Sequence, residues 1–491
     1  MLTSIAVFLY IAIFLSFLYR YVIYPQFLSP LSKLPRAHPT TAVLPTWLWY
    51  QQRTQNESRS ITEAHHRHGP VVLVSPSEVS VASLDGLKKI YSGRRFKRPD
   101  WFVTSFLNYN GTKNLVTMPN TNEHAKRKKA MLQILVKSFV FRSADFQKLS
   151  AVILLERFLP VLNTAATNKQ GIDVFELLRA VAAEIGSAYE VGLHNCLDIT
   201  RHGREQEKKT YIEHTFNKMH EKNDHLASKK WLELQLLEIL ANTDAELKDI
   251  KASAEARKNP DYTFPLAYSH LDAATTADYP ALSTSQKLTL VASELLDNLE
   301  ASREGDGVIL TYVLHEISQK LDVQRALRAE IEHFTRHVEQ SAQSRFFDVE
   351  VLQTLDRLPL LDAILKETMR LRSPAPGPQR RVVPAGGITV DGYFVPEDTI
   401  IGTSQRAIHR IPEVFPDPDD WKPERWLSST ADKDLGDRDP SKWWWGFGSG
   451  AMSCSGKDFA WIGMFNYILT CNGAHTFHSH ETHPRDHILQ L

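Results

Sequence analysis

From Leu2 to Tyr19 the chain is apolar apart from Thr3, Ser4 and Ser16, and no charged side chain occurs before Arg20. At about 1.5 Å per residue such a helix just spans the hydrocarbon core of a bilayer, so the pattern predicts a single-pass membrane anchor over residues 1–24. The run lacks the basic start and small-residue cleavage site of a cleavable signal peptide. Arg20, Lys33 and Arg36 all follow the span, which by the positive-inside rule leaves the remaining chain on the cytosolic side. Pro25, Pro30, Pro35 and Pro39 then forbid a continuing helix and predict a stiff, extended connector over residues 25–45.

Beyond it, SITEAHHRHG reads as a short helix closed by Gly69, and PVVLVSPSEVSVAS as a hairpin turning at Ser75-Pro76-Ser77. From Asn122 to about Lys258 the apolar spacing is helical. Residues 286–320 keep helical spacing on both sides of a polar interruption, predicting one long central helix with a weak midpoint. LPLLDAILKETMRLRS aligns Leu358, Leu361, Leu365 and Met369 on one helical face before Ser373-Pro374 ends it. GGITVDGYFVPEDTIIGTS alternates as strands do, with Asp391-Gly392 as a turn. The expected architecture is mainly α with a small β-sheet, a single catalytic domain over residues 46–491.

Lysine plus arginine balances aspartate plus glutamate at 57 each, so no net field gathers a polyanion and nucleic-acid binding is not expected. Cys196, Cys454 and Cys471 are few and far apart, the usage of a reducing compartment. Cys454 sits in FGSGAMSCSGKDFAWIGMF, where glycines permit a tight loop and a helix starts just after the thiol. A helix start favours an anion placed before it, hence a thiolate. A single thiolate cannot build a structural zinc or iron–sulfur site, yet it suffices as the proximal ligand of haem iron. A buried apolar cysteine is the plainer alternative.

The series Phe447, Gly450, Met452, Cys454, Gly456 resembles the haem loop Phe-x-x-Gly-x-Arg-x-Cys-x-Gly of the cytochrome P450 superfamily. Glu367-Thr368-Met369-Arg370 resembles that family's Glu-x-x-Arg helix, and Pro423-Glu424-Arg425-Trp426 its later arginine motif. The resemblance runs from the Pro-rich hinge to the helix after Cys454, and looks closest to microsomal members from filamentous fungi. It implies the cytochrome P450 fold, heme b with Cys454 as axial iron ligand, and Phe447 and Gly450 in the cofactor loop. It also implies a charged cluster of Glu367, Arg370 and Arg425. His124 and Lys128 match a helix that reaches one haem propionate, and Arg381 matches a contact to the second. The implied reaction is oxidation of a small apolar molecule with O2 and electrons from an NADPH-cytochrome P450 reductase at the endoplasmic reticulum. By analogy it serves secondary-metabolite biosynthesis.

Three departures complicate that expectation. Met452 replaces the loop arginine that neutralises a propionate. In the central helix the family's acid is present as Glu304, while its threonine, which helps deliver protons, is Gly305; Asp306 is the nearest substitute, about 100° round the helix. Glu304 and Asp306 are therefore the candidate proton-handling pair. After Cys471 nothing alternates like strands, so either the family's C-terminal sheet is shortened or the end of the sequence comes from a displaced reading frame or retained intron. His475, His478, His480 and His483, and His65, His66 and His68, are read as polar positions rather than metal sites. Besides the monooxygenase reading, two others stay open: a haem-thiolate enzyme that is peroxide-driven or rearranges its substrate, and a degenerate product without catalysis.

Overall fold

In the computed structural model the uncharged N-terminal run is a helix over Leu2–Leu18 that continues, in π-type turns, through Tyr19–Leu28. Residues 5–28 form a span of mean hydropathy 2.0 with no part of it buried against protein, a candidate membrane anchor. The structure describes the chain except for residues 1, 93–95, 105, 107, 120–121, 202, 218–224, 253–261, 340–348, 428–434, 475–477, 480–487 and 491. Pro25 does not stop the helix, because a π-type turn absorbs the residue that lacks an N–H; the helix closes with Ser29 N–H donating to Tyr24 O at 2.8 Å. The connector also departs from expectation. Leu31, Leu34 and Ala42 are buried against the strands, and Leu73 N–H donates to Pro35 O at 2.8 Å, so residues 30–42 are packed into the domain rather than strung out before it.

The hairpin forms as β1 (Val71–Ser75) and β2 (Glu78–Val81), after the helix Glu57–His68 and its Gly69 stop at φ 93°. β3 is Ile172–Asp173, β4 Arg381–Val382, β5 Ile388–Val390, β6 Tyr393–Val395 and β7 Ile400–Gly402. The main sheet has the order β1-β2-β7-β4, with β2 and β7 parallel, while β5 and β6 pair around Asp391-Gly392. Short strands do form at the C-terminus: β8 (His478–Ser479) pairs with β9 (Ile488–Gln490), which pairs with β3. Strands this short are held by backbone partners, so they leave no period of two to read. The side chains of the C-terminal histidines lie outside the described residues.

Most of the remaining described residues in regular structure are helical, and they pack around the largest of the hydrophobic clusters. Its axis is Thr284–Ala301, a π segment Ser302–Gly307 and Val308–Ser318, continuous as expected and widened where the polar interruption falls. Ser283 and Gln286 close its start with a capping box. The π segment packs on the helices Val174–Val191 and Lys457–Ala474. His65 and His66 are structural: His65 bonds Gly69 O at 2.9 Å and Ser80 Oγ at 2.8 Å, and His66 meets Arg410 O at 3.1 Å.

Candidate active site

Cys454 lies between a 3-10 turn, Gly450–Met452, and the helix Lys457–Ala474. Gly448 and Gly450 adopt φ of 67° and 70°, and a Cβ at Gly450 would stand 1.8 Å from Tyr91 O, so only glycine lets the loop lie there. Phe447 O accepts from Cys454 N–H at 3.0 Å, and its ring meets Trp461 edge-on at 5.8 Å. Upstream, Gln405 donates to Trp445 O at 2.8 Å, and Trp445 N–H donates to His409 Nε2 at 3.0 Å. Burial first, then Arg370 and Arg410, drive His409 down to about 3, which keeps that nitrogen an acceptor.

Lys128 comes to this loop from the helix Asn122–Leu135. Its ammonium donates to Ala451 O at 2.9 Å, Ser453 O at 2.6 Å and Ser453 Oγ at 3.1 Å. An ammonium has three donors, so these contacts use all of them and Lys128 braces the cysteine loop. His124 is buried one turn earlier on the same helix.

The Cys454 thiol is open at its surface although burial pushes it up to about 11, with Gly456 N–H pulling the other way. The expected helix-start effect is thus present but smaller than the burial cost. A side chain both accessible and deeply surrounded lines an interior space. A positively charged acceptor in front of the sulfur is what makes the thiolate its resting form.

The central helix supplies another face of that space. Ala301 is exposed, with Leu299 and Arg303 two residues either side buried, and a Cβ built at Gly305 would meet nothing within 4 Å. Gly307 turns the other way: a Cβ there would reach Arg179 Cα at 2.6 Å, so this glycine lets two helices close. Glu304 follows Gly307's side, paired with Arg179 and with Arg303 at 3.0 Å, which ties it into an ion-pair network. Asp306 has neither hydrogen bond nor ion pair among the described residues, and burial lifts it to about 7. Asp306 is therefore able to exchange protons near neutrality.

Two guanidinium groups, Arg98 near Lys128 and Arg381 near Arg98, have no carboxylate at ion-pair distance among the described residues. Arg381 is buried, donates to Arg380 O at 2.7 Å and lies 5.0 Å over the Tyr91 ring. Arg98 donates to Val116 O, its Nε is buried without a partner, and burial and then Arg381 push it down to about 10. Like charges held this way need an anion. A flat macrocycle carrying carboxylates would meet that need: Arg98 and Arg381 would hold its carboxylates, Cys454 would hold its metal, and the glycine loop leaves it room.

Sequence reasoning missed Arg98, whose neighbours Arg94, Arg95 and Lys97 make it read as one more surface charge. Buried beside Arg381, it is a cation that could stand in for the loop arginine absent at Met452. Arg98→Ala is expected to lower haem per chain in purified protein several-fold, with Met452→Arg restoring it in the double variant. Full occupancy of Arg98→Ala would remove this assignment.

Glu367, Arg370 and Arg425 come together as one buried cluster. Arg370 donates to both Glu367 oxygens at 2.9 and 2.8 Å, Arg425 donates at 3.1 Å, and Trp426 Nε1 at 3.0 Å. Arg370 also donates to the carbonyls of His409, Pro418 and Asp420. It therefore ties the segment that carries His409, and through His409 the cysteine loop.

The cytochrome P450 family model matches residues 35–486. A cytochrome P450 monooxygenase of Aspergillus versicolor is 25% identical over 419 residues, covering 83% of this chain and 95% of that protein. Pisatin demethylase of Fusarium vanettenii is 24% identical over 91% of this chain and 85% of its own length. A third, a cytochrome P450 monooxygenase of Emericella nidulans, is 45% identical over 112 residues, 22% of its length. A match over nearly the whole domain settles the family, so the thiol loop and the interior it faces are those of an oxidoreductase: the chain belongs to the cytochrome P450 family and is a monooxygenase of that family.

Proposed function

We propose that the chain hydroxylates or otherwise oxidises an apolar small molecule in secondary-metabolite biosynthesis, using O2 and electrons from an NADPH-cytochrome P450 reductase. The observation that carries this reading is the accessible yet deeply surrounded thiol of Cys454, with Lys128 beside it and Arg98 beside Lys128, Arg98 having no carboxylate at ion-pair distance among the described residues. Cys454 would hold heme b there, and the bound group would supply the activation of dioxygen, aided by electron density from the thiolate. This chain's residues do the rest. Lys128 and His409 fix the loop, Ala301 and Gly305 offer an apolar wall to the substrate, and Asp306 holds a proton below about pH 7. The N-terminal helix serves as a single-pass anchor in the endoplasmic reticulum, with the catalytic domain facing the cytosol.

Gly305 favours a second reading, a peroxide-driven or rearranging enzyme, because no side chain there offers a hydroxyl to relay protons. The two separate by stoichiometry. With reductase and a hydrocarbon probe that carries no hydroxyl, the wild type is expected to release much of its NADPH equivalent as hydrogen peroxide. Gly305→Thr should lower that release at least about twofold, since the position has room for a side chain. Turnover that needs peroxide and ignores reductase would replace the monooxygenase reading by the second.

A further inference from the structure

β4 and β7 run antiparallel with Arg381 opposite Ile401, and two residues earlier Gln379 N–H donates to Thr403 O at 2.9 Å. In an antiparallel ladder such a pair exchanges two bonds, so Thr403 N–H would be expected to donate back to Gln379 O. Instead the Tyr91 hydroxyl, at the end of the helix Leu84–Tyr91, accepts from Thr403 N–H at 2.8 Å and donates to Gln379 O at 2.6 Å. A phenol thus replaces one rung of the sheet just before Arg381. Thr403 is fully buried and Tyr91 is 4% exposed, so both backbone groups depend on that hydroxyl rather than on water. The same residue meets the rest of the site. Its ring lies 5.0 Å from the Arg381 guanidinium and 4.6 Å from the Trp445 ring, and its carbonyl lies against Gly450 of the cysteine loop.

We propose that Tyr91 is a positioning residue for Arg381: its hydroxyl spaces the two strands and its ring seats the guanidinium, which together set where that cation stands relative to the cysteine loop. The inference rests on the reading of Arg381 as a cation for a haem carboxylate. Side chains alternate along a strand, so Arg380 turns away to Glu78 at 2.7 Å and to Glu57, while Arg381 turns to Tyr91. Arg381 has no carboxylate to hold it; apart from its bond to Arg380 O at 2.7 Å, the Tyr91 ring is what it rests on. Burial raises the phenol, with Arg381 opposing, so the hydroxyl keeps its proton and remains a donor to Gln379 O. Without the hydroxyl, Thr403 N–H and Gln379 O either stay unpaired in the interior or close on each other. Closing draws in the strand that carries Arg381.

The test uses the haem-loaded full chain as wild type, Tyr91→Phe, Arg381→Gln and the double variant. Haem loss to an apomyoglobin trap and the reduction potential are measured for each. Phenylalanine keeps the ring and removes only the rung. Tyr91→Phe is expected to speed haem loss about three- to tenfold, the scale of one net hydrogen bond. It should also lower the reduction potential, because a cation moved from its place stabilises the added electron less. In the Arg381→Gln background the same substitution should change haem loss by less than about twofold, the non-additivity of a residue that acts through another. Wild-type haem loss in Tyr91→Phe overturns the proposal. So does an equal loss, or an equal failure to fold, in both backgrounds, since that is the mark of general packing. If Arg381→Gln alone leaves haem loss and potential at wild-type values, it is the reading of Arg381 that falls, and the proposal with it.

Discussion

Glu367→Gln is expected to cost about 3–5 kcal/mol of stability, the range for removing one partner from a fully buried ion pair. Glu367 and Arg370 have no exposed side-chain surface, and Arg425 has 9%. The amide keeps the shape but leaves two buried guanidinium groups facing a neutral oxygen. Arg370 keeps its three carbonyl acceptors, so it stays in place and the penalty cannot be relieved by swinging it out. Urea unfolding of the detergent-solubilised chain measures the effect as a lower midpoint at unchanged slope. Glu63→Gln is the control, since Glu63 and its partner Arg67 are 53% and 68% exposed and exposed pairs contribute roughly 1 kcal/mol or less. Equal costs for the two variants would mean that the Glu367 cluster is not what locks this face of the core.

Cys454→Ser is expected to lower retained haem at least about tenfold, because a serine hydroxyl does not ionise in such a buried loop and ligand loss exceeds the usual effect of disturbing its neighbours. The loop itself should survive, since Lys128, Phe447 O and Gly450 hold backbone rather than sulfur. Cys196→Ser and Cys471→Ala should retain haem. Cys196 is spent on Leu193 O and Arg157, and Cys471 is a core filler pushed up to about 12 by burial.

Local patterns carried well from sequence to structure where a short repeat encodes them. The turn at Asp391-Gly392, the Glu367 to Arg370 spacing, the glycine-rich loop at Cys454 and the soft middle of the central helix all depend on residues a few positions apart. What escaped depends on tertiary approach. Nothing near Arg98 in sequence announces that its guanidinium is buried beside Arg381, and nothing in the lysine run says that Lys128 turns to the cysteine loop. Glu304 and Asp306 are adjacent in sequence and opposite in circumstance, because Arg179 arrives from another helix to claim only one of them. The thiol was expected to be favoured as an anion from its helix start, and burial, invisible in a single chain, outweighs that effect. The strand pairing of β8 and β9 is borrowed from Ile172–Asp173, far upstream.

The central claim is that Cys454 presents a thiolate to haem iron inside this domain, and the carbon monoxide difference spectrum of the reduced, membrane-expressed protein tests it most directly. A thiolate-type Soret band in the wild type, absent in Cys454→Ser and kept in Cys196→Ser, is the predicted result. A wild type that incorporates haem yet gives only the band of a nitrogen-ligated or thiol-ligated iron, or a Cys454→Ser variant that keeps the thiolate band, contradicts it.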